Sequence, residues 1–185
     1  HGALLYVLEP TCALGVYAVG LIWISTRRGE WWEGILRTAI VIGMLSALAD
    51  IVGLLIEDGL LFTVRGPAMQ IGVMGTTFVL WGFAGWHVAR RLRSSLAGLL
   101  ASVFSAGVCA IVAVTAGFVI ELFVAPPSPA YVLLWGEFKR SGWSDARAFG
   151  LANTLDSGFS HLTLSLIVAA VIGGVASMIA RSRLV

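Results

Sequence analysis

Apolar positions in this chain fall in long uninterrupted runs, not in the alternating or three-and-four spacing of half-buried elements. Gly66 to Ala89, Ser94 to Ile120 and Ser157 to Ala180 contain no Asp, Glu, Lys or Arg. At about 1.5 Å of rise per helical residue, each run can cross a hydrocarbon layer about 30 Å thick. Two further runs cross if a carboxylate is carried inside: Gly2 to Ser25 with Glu9, and Gly34 to Ile56 with Asp50. The pattern predicts an all-α, polytopic transmembrane helix bundle in a single domain, 1–185. Its five membrane-spanning helices are expected at about 2–25, 34–57, 66–89, 94–123 and 157–180.

The segment 125–156 reads differently. Pro126, Pro127 and Pro129 end one helix and open another. Tyr131, Leu134, Trp135 and Phe138 then recur at helical spacing, with Glu137, Lys139 and Arg140 on the other side. This predicts a short amphipathic helix over Pro129–Arg140, lying in the interface. Ser141-Gly142 breaks it, and Ser144 is placed to cap a second short helix running to about Leu155.

Composition agrees with a membrane protein: 58% hydrophobic, 12% charged, mean hydropathy +0.93, against about 25% charged residues in soluble domains. The net charge of +2 is small, and the basic residues cluster at helix ends, which points away from nucleic acid. Arg27, Arg28 and Arg37, then Arg90, Arg91 and Arg93, then Arg181 and Arg183 fall on one side if there are five crossings. Short basic loops stay cytoplasmic, so the expectation is a multi-pass inner-membrane protein with its N-terminus outside and C-terminus inside. Trp23, Trp31, Trp32 and Trp86 would anchor the cytoplasmic helix ends, and Trp135 and Trp143 the outer segment.

Small residues line one face of several helices: Gly98, Ser102, Ser105, Cys109, Ala113 and Ala116 in the fourth, and Ser165, Ala169, Gly173 and Ser177 in the fifth. Gly72, Gly75, Gly82 and Gly85 do the same in the third. Such faces let helices approach closely in lipid, within one chain or across a homodimer seam. Cys12 and Cys109 both fall near the bilayer midplane and read as small apolar residues without a redox or metal role, since neither has a Cys-x-x-Cys partner or a nearby His in sequence.

Carboxylates inside the membrane are the residues with a claim to chemistry, because burying one near a helix centre costs about 2.5–3.5 kcal/mol. Asp50 lies on a small and polar stripe, Gly43, Ser46, Asp50, Gly53 and Glu57. Asp50, Glu9 and Glu57 form the candidate intramembrane polar site. Glu121, Asp156, His161 and Asn153 form a candidate outer vestibule above it. No catalytic or cofactor-binding motif is present in the sequence. His87 and His161 fall at opposite membrane levels and cannot share a haem, and there is no His-Glu-x-x-His or other zinc pattern. No catalytic residue, cofactor or metal is therefore expected.

The stretch from about Ala89 to Arg183 resembles, in layout, a family of small bacterial inner-membrane proteins of unknown function. The shared features are the basic turn Arg90-Arg91-Leu92-Arg93, a long helix, the short polar helix around Glu137-Phe138-Lys139-Arg140, and a last helix rich in small residues, Leu166 to Ala180, ending in Arg181 and Arg183. The resemblance implies a bacterial inner-membrane protein and brings no activity with it. Two functions compete on this footing. One is an accessory or scaffold helix-bundle subunit whose partners are the lipid bilayer, other membrane proteins or a second copy. The other is a small cation- or proton-coupled carrier using the intramembrane carboxylates. A membrane enzyme has the least support.

Overall fold

A computed structural model describes residues 2–26, 29–57, 67–124 and 138–182, and every regular element among them is helical. Five helices follow in chain order: α1 (Gly2–Ser25), α2 (Glu30–Glu57), α3 (Pro67–Leu92), α4 (Ser95–Val119) and α5 (Ala146–Ser182). A single π-type turn, Ile120–Val124, prolongs α4. By length and composition α2, α3, α4 and α5 are long and apolar enough to cross a membrane, and α1 contributes a shorter apolar stretch, Thr11–Gly20.

The helix ends follow from local chemistry. Pro67 opens α3, where its missing N–H is no loss. Arg93 adopts φ 49°, a left-handed turn that reverses the chain between α3 and α4. Ser94 then caps α4, its Oγ accepting from the Ala97 N–H at 3.2 Å. Glu30 and Glu33 lie in the first turn of α2, at the positive end of its dipole, so this helix starts before the apolar run begins at Gly34.

Two boundaries differ from the sequence reading. The last helix does not begin near Ser157: α5 runs unbroken for 37 residues from Ala146 and absorbs the separate short helix expected before it. Asn153, Asp156 and Ser157 are polar, but none of them breaks a helix. Gly158 is a contact position and no terminus, since a Cβ there would stand 3.0 Å from Val114 Cγ1 on α4. The cap is also shifted by one residue: the Asp145 carboxylate, not Ser144, accepts from the Ala148 N–H at 3.3 Å. Of the expected interfacial helix, Tyr131, Leu134, Trp135 and Glu137 lie outside the described residues. Residues 138–141 are helical, and Phe138 and Trp143 pack against the Phe149 ring of α5 at 5.7 and 6.2 Å between centroids.

α4 is the central element. Of its apolar stretch 61% is buried, against 28–33% for α2, α3 and α5. α3 and α4 cross in the middle, while α2 and α5 each pack against both and scarcely against one another. α1 lies on the outside, chiefly along α5, where the Tyr17 hydroxyl donates to the Leu162 carbonyl. The small-residue faces are used within this bundle. A Cβ on Gly98 would fall inside contact distance of Gly85 O and Ser177 Oγ, and one on Gly173 would collide with Ser102. Hydroxyls bridge the same crossing: Ser102 donates to Ala169 O at 3.0 Å and Ser177 to Gly85 O at 3.3 Å. Gly72 and Gly75 are the exception, with open space around them.

One end of the bundle carries Arg90, Arg91 and Arg181, and is called the basic end below. Trp31 and Trp32 pack there beside Ile35, Val88 and Ala97, and Arg90 lies 5.0 Å over the Trp86 ring. Trp81, in contrast, lies deep in the bundle, its side chain buried among Ala47, Ala106, Cys109 and Ala169.

Candidate functional site: a polar centre shared by four helices

Close helix contacts bring one polar residue from each packed helix to a common level. Gly43 seats α2 directly on α4: a Cβ there would be 2.6 Å from Val108 Cβ and 2.7 Å from Ser105 O. From two turns further along α2, the Asp50 side chain reaches Cys109 of α4. Gly53 seats α2 against Val73 of α3 at 3.0 Å, which draws Thr77, one turn on, toward the same carboxylate. Gly158 against Val114 does the same for α5 and delivers His161.

The Asp50 carboxylate collects all three. Thr77 Oγ1 donates to Oδ1 at 2.8 Å. The Cys109 thiol donates to Oδ2 at 3.2 Å. His161 Nε2 lies 3.4 Å from the same Oδ2, at ion-pair range, but outside hydrogen-bond geometry, so this buried nitrogen has no hydrogen-bond partner among the described residues. The Asp50 side chain is 14% exposed and the His161 side chain 39%. Since Nε2 itself is buried, the exposure of His161 belongs to the rest of its ring.

A second polar layer lies one turn, about 6 Å, nearer the basic end. Ser46, Trp81, Ser105 and Ser165 stand four residues from Asp50, Thr77, Cys109 and His161 respectively, each on the same helix as its counterpart. Ser105 is satisfied by Ala101 O at 2.7 Å. Ser46 Oγ, Trp81 Nε1 and Ser165 Oγ are buried and make no hydrogen bond among the described residues. Buried polar atoms ordinarily find a partner, protein or water, so three together mark a place where small polar guests are welcome.

Depth follows from helix rise. Thr77 is about 20 Å along α3 from Arg90, and Cys109 about 22 Å along α4 from its Ser94 cap. In a hydrocarbon layer about 30 Å thick, the centre sits about two-thirds of the way across from the basic end.

Of the seven candidate residues, the structure brings Asp50 and His161 together. Because α5 starts at Ala146, His161 lies about 22 Å into it, level with Asp50. Asn153 is half-buried and Asp156 exposed, both nearer the start of α5, and neither joins the Asp50 cluster among the described residues. The side chains of Glu9, Glu57 and Glu121 lie outside the described residues. The view that Cys109 has no His nearby is corrected: Asp50, Cys109 and His161 offer three ligand-type atoms within 4.8 Å of one another. Both cysteines are free thiols, Cys12 exposed and Cys109 buried. Thr77, Cys109 and Trp81 are the residues that sequence reasoning missed. The available signal was a polar pair spaced by four on each of four helices.

A carboxylate, an imidazole and a thiol in mutual reach can exchange protons or share a cation. No protein-family model, curated protein or solved structure matches the chain. The likeness of the C-terminal half to small inner-membrane proteins thus stands on layout alone, and the functional reading rests on the site.

Proposed function

We propose that this chain is a small proton- or cation-coupled membrane carrier, and that Asp50 is its binding group. The observation that carries this reading is the convergence of Thr77, Cys109 and His161 from three other helices on one intramembrane carboxylate. Ionisable groups in membrane spans are expensive and ordinarily mark an ion or proton pathway. The partnerless Ser46, Trp81 and Ser165 extend the polar region toward the basic end, as a path needs.

The small-residue faces of α4 and α5 pack within their own bundle, so they lend no particular support to the alternative, an accessory or scaffold subunit. On the carrier reading α1 is counted as a fifth span, with the N-terminus outside and the basic end cytoplasmic in a bacterial inner membrane. The centre then lies about 10 Å below the outer hydrocarbon surface.

The test is flux through the purified chain in sealed vesicles. With a pH-sensitive dye inside, wild type should dissipate an imposed proton or cation gradient, and Asp50→Asn should not, while eluting and melting like wild type. Equal flux in both, or none in either, refutes the carrier reading.

A further inference from the structure

We infer that Asp50 Oδ2, Cys109 Sγ and His161 Nε2 form a three-ligand site for a borderline-soft divalent transition-metal ion of the zinc class. This deepens the carrier reading, and rests on it, by naming the cation.

Geometry comes first. In a tetrahedral site with bonds of about 2.0–2.3 Å, neighbouring ligand atoms stand about 3.3–3.8 Å apart. Here Sγ and Nε2 lie 3.2 and 3.4 Å from Oδ2, and all three atoms fall within 4.8 Å of one another. Two of the three separations match already, and side-chain rotations that close the Sγ–Nε2 gap by up to about 1 Å centre an ion among them.

Donor state comes second. His161 Nε2 is buried and makes no hydrogen bond among the described residues, so no hydrogen bond has to be broken for it to turn a lone pair to an ion. Asp50 divides its labour: Thr77 holds Oδ1, which leaves Oδ2 as the ligand oxygen. This is the outer-shell support that ligating carboxylates commonly have.

Charge comes third. A dication bound by one carboxylate, one thiolate and one neutral imidazole gives a neutral centre, which a low-dielectric interior tolerates far better than any net charge. Binding forms a metal–sulfur bond and releases the Cys109 proton to water. Mixed oxygen, nitrogen and sulfur donors favour zinc and its neighbours over magnesium or calcium, which require oxygen. Three protein ligands leave a fourth position open, as in sites that exchange what they hold and unlike closed structural sites.

The test uses cobalt(II) as an optical stand-in, added to the purified full chain in detergent. Expected are the intense visible bands of four-coordinate cobalt, a thiolate-to-cobalt charge-transfer band, release of about one proton per ion, and displacement by zinc. Cys109→Ser should abolish the charge-transfer band. His161→Gln and Asp50→Asn should each weaken binding at least about tenfold, and Thr77→Val about tenfold. Cys12→Ser should change nothing. A folded wild-type chain without these bands overturns the inference, and so does a charge-transfer band that survives Cys109→Ser. Proton release from wild type needs no variant and settles the matter if the variants misfold: its absence on cobalt addition overturns the site. The two readings separate cleanly. Asp50-dependent proton flux in chelator without a cobalt site overturns the metal and keeps the carrier, whereas a cobalt site without flux does the reverse.

Discussion

The crossing of α3, α4 and α5 makes a quantitative claim about one glycine. Replacing Gly98 by Ala puts a methyl group against Gly85 O, Ser177 Oγ and Ala89 Cβ, the last only 2.8 Å away. Carbon atoms rest at about 3.5–4.0 Å, so the helices must separate locally by roughly 1 Å. Overpacking of this kind costs about 1–3 kcal/mol. Against this, Ala is the better helix former by about 0.5–1 kcal/mol. The net expectation for Gly98→Ala is a loss of about 1–2 kcal/mol. Gly72, in the same bundle but with nothing within 4 Å, is the matched control: Gly72→Ala should gain up to about 1 kcal/mol. Reversible unfolding in mixed micelles of increasing sodium dodecyl sulfate, followed by tryptophan fluorescence, reads both. If the two variants share a midpoint, or Gly98→Ala is the more stable, the close crossing of α3, α4 and α5 is wrong.

Other expectations follow from the same geometry. Thr77→Val keeps the shape of the side chain but removes the donor to Asp50 Oδ1, and should lower stability by about 0.6–1.7 kcal/mol in the same micelle assay. Asp145→Ala removes the cap of α5 and should cost about 0.5–2 kcal/mol; hydrogen exchange should show the loosening confined to the first turns of that helix. On the proposed orientation, a thiol introduced as Ser144→Cys in a Cys12→Ser background reacts with an impermeant maleimide on intact cells, and one introduced as Ser182→Cys reacts only after lysis; the reverse pattern inverts the topology.

Much of the fold was legible because burial in lipid leaves a coarse signature. Long apolar runs located the centres of α2, α3 and α4 to within a few residues, and the small-residue spacing identified the faces of α4 and α5 that meet. Helix ends were less legible. A polar stretch such as Asn153 to Ser157 looks like a break, yet a helix tolerates polar residues, and only the contact of Gly158 with Val114 shows why it continues. That misplaced start moved His161 in depth and hid its meeting with Asp50. Cys109 and Thr77 were invisible for a different reason. Each is an ordinary small residue on its own helix, and its chemistry arises only when three other helices are set beside it. The stripe through Asp50 did reveal its inward face, since one carboxylate in hydrocarbon has few other places to go.

The depth of the centre has an electrical consequence. A charge moved across the full membrane potential changes energy by about 2.3 kcal/mol per 100 mV. A cation reaching Asp50 from the side opposite the basic end crosses about one-third of the thickness, hence about one-third of the field. Each positive charge bound then senses about 0.8 kcal/mol per 100 mV, and a dication about twice that. With the basic end on the negative side, a resting potential tightens occupancy from without and opposes escape back to that side. On the proposed site and orientation, depolarising the membrane would loosen cation binding several-fold with no change in any contact, and the position of one carboxylate along its helix would make the bundle a reader of voltage.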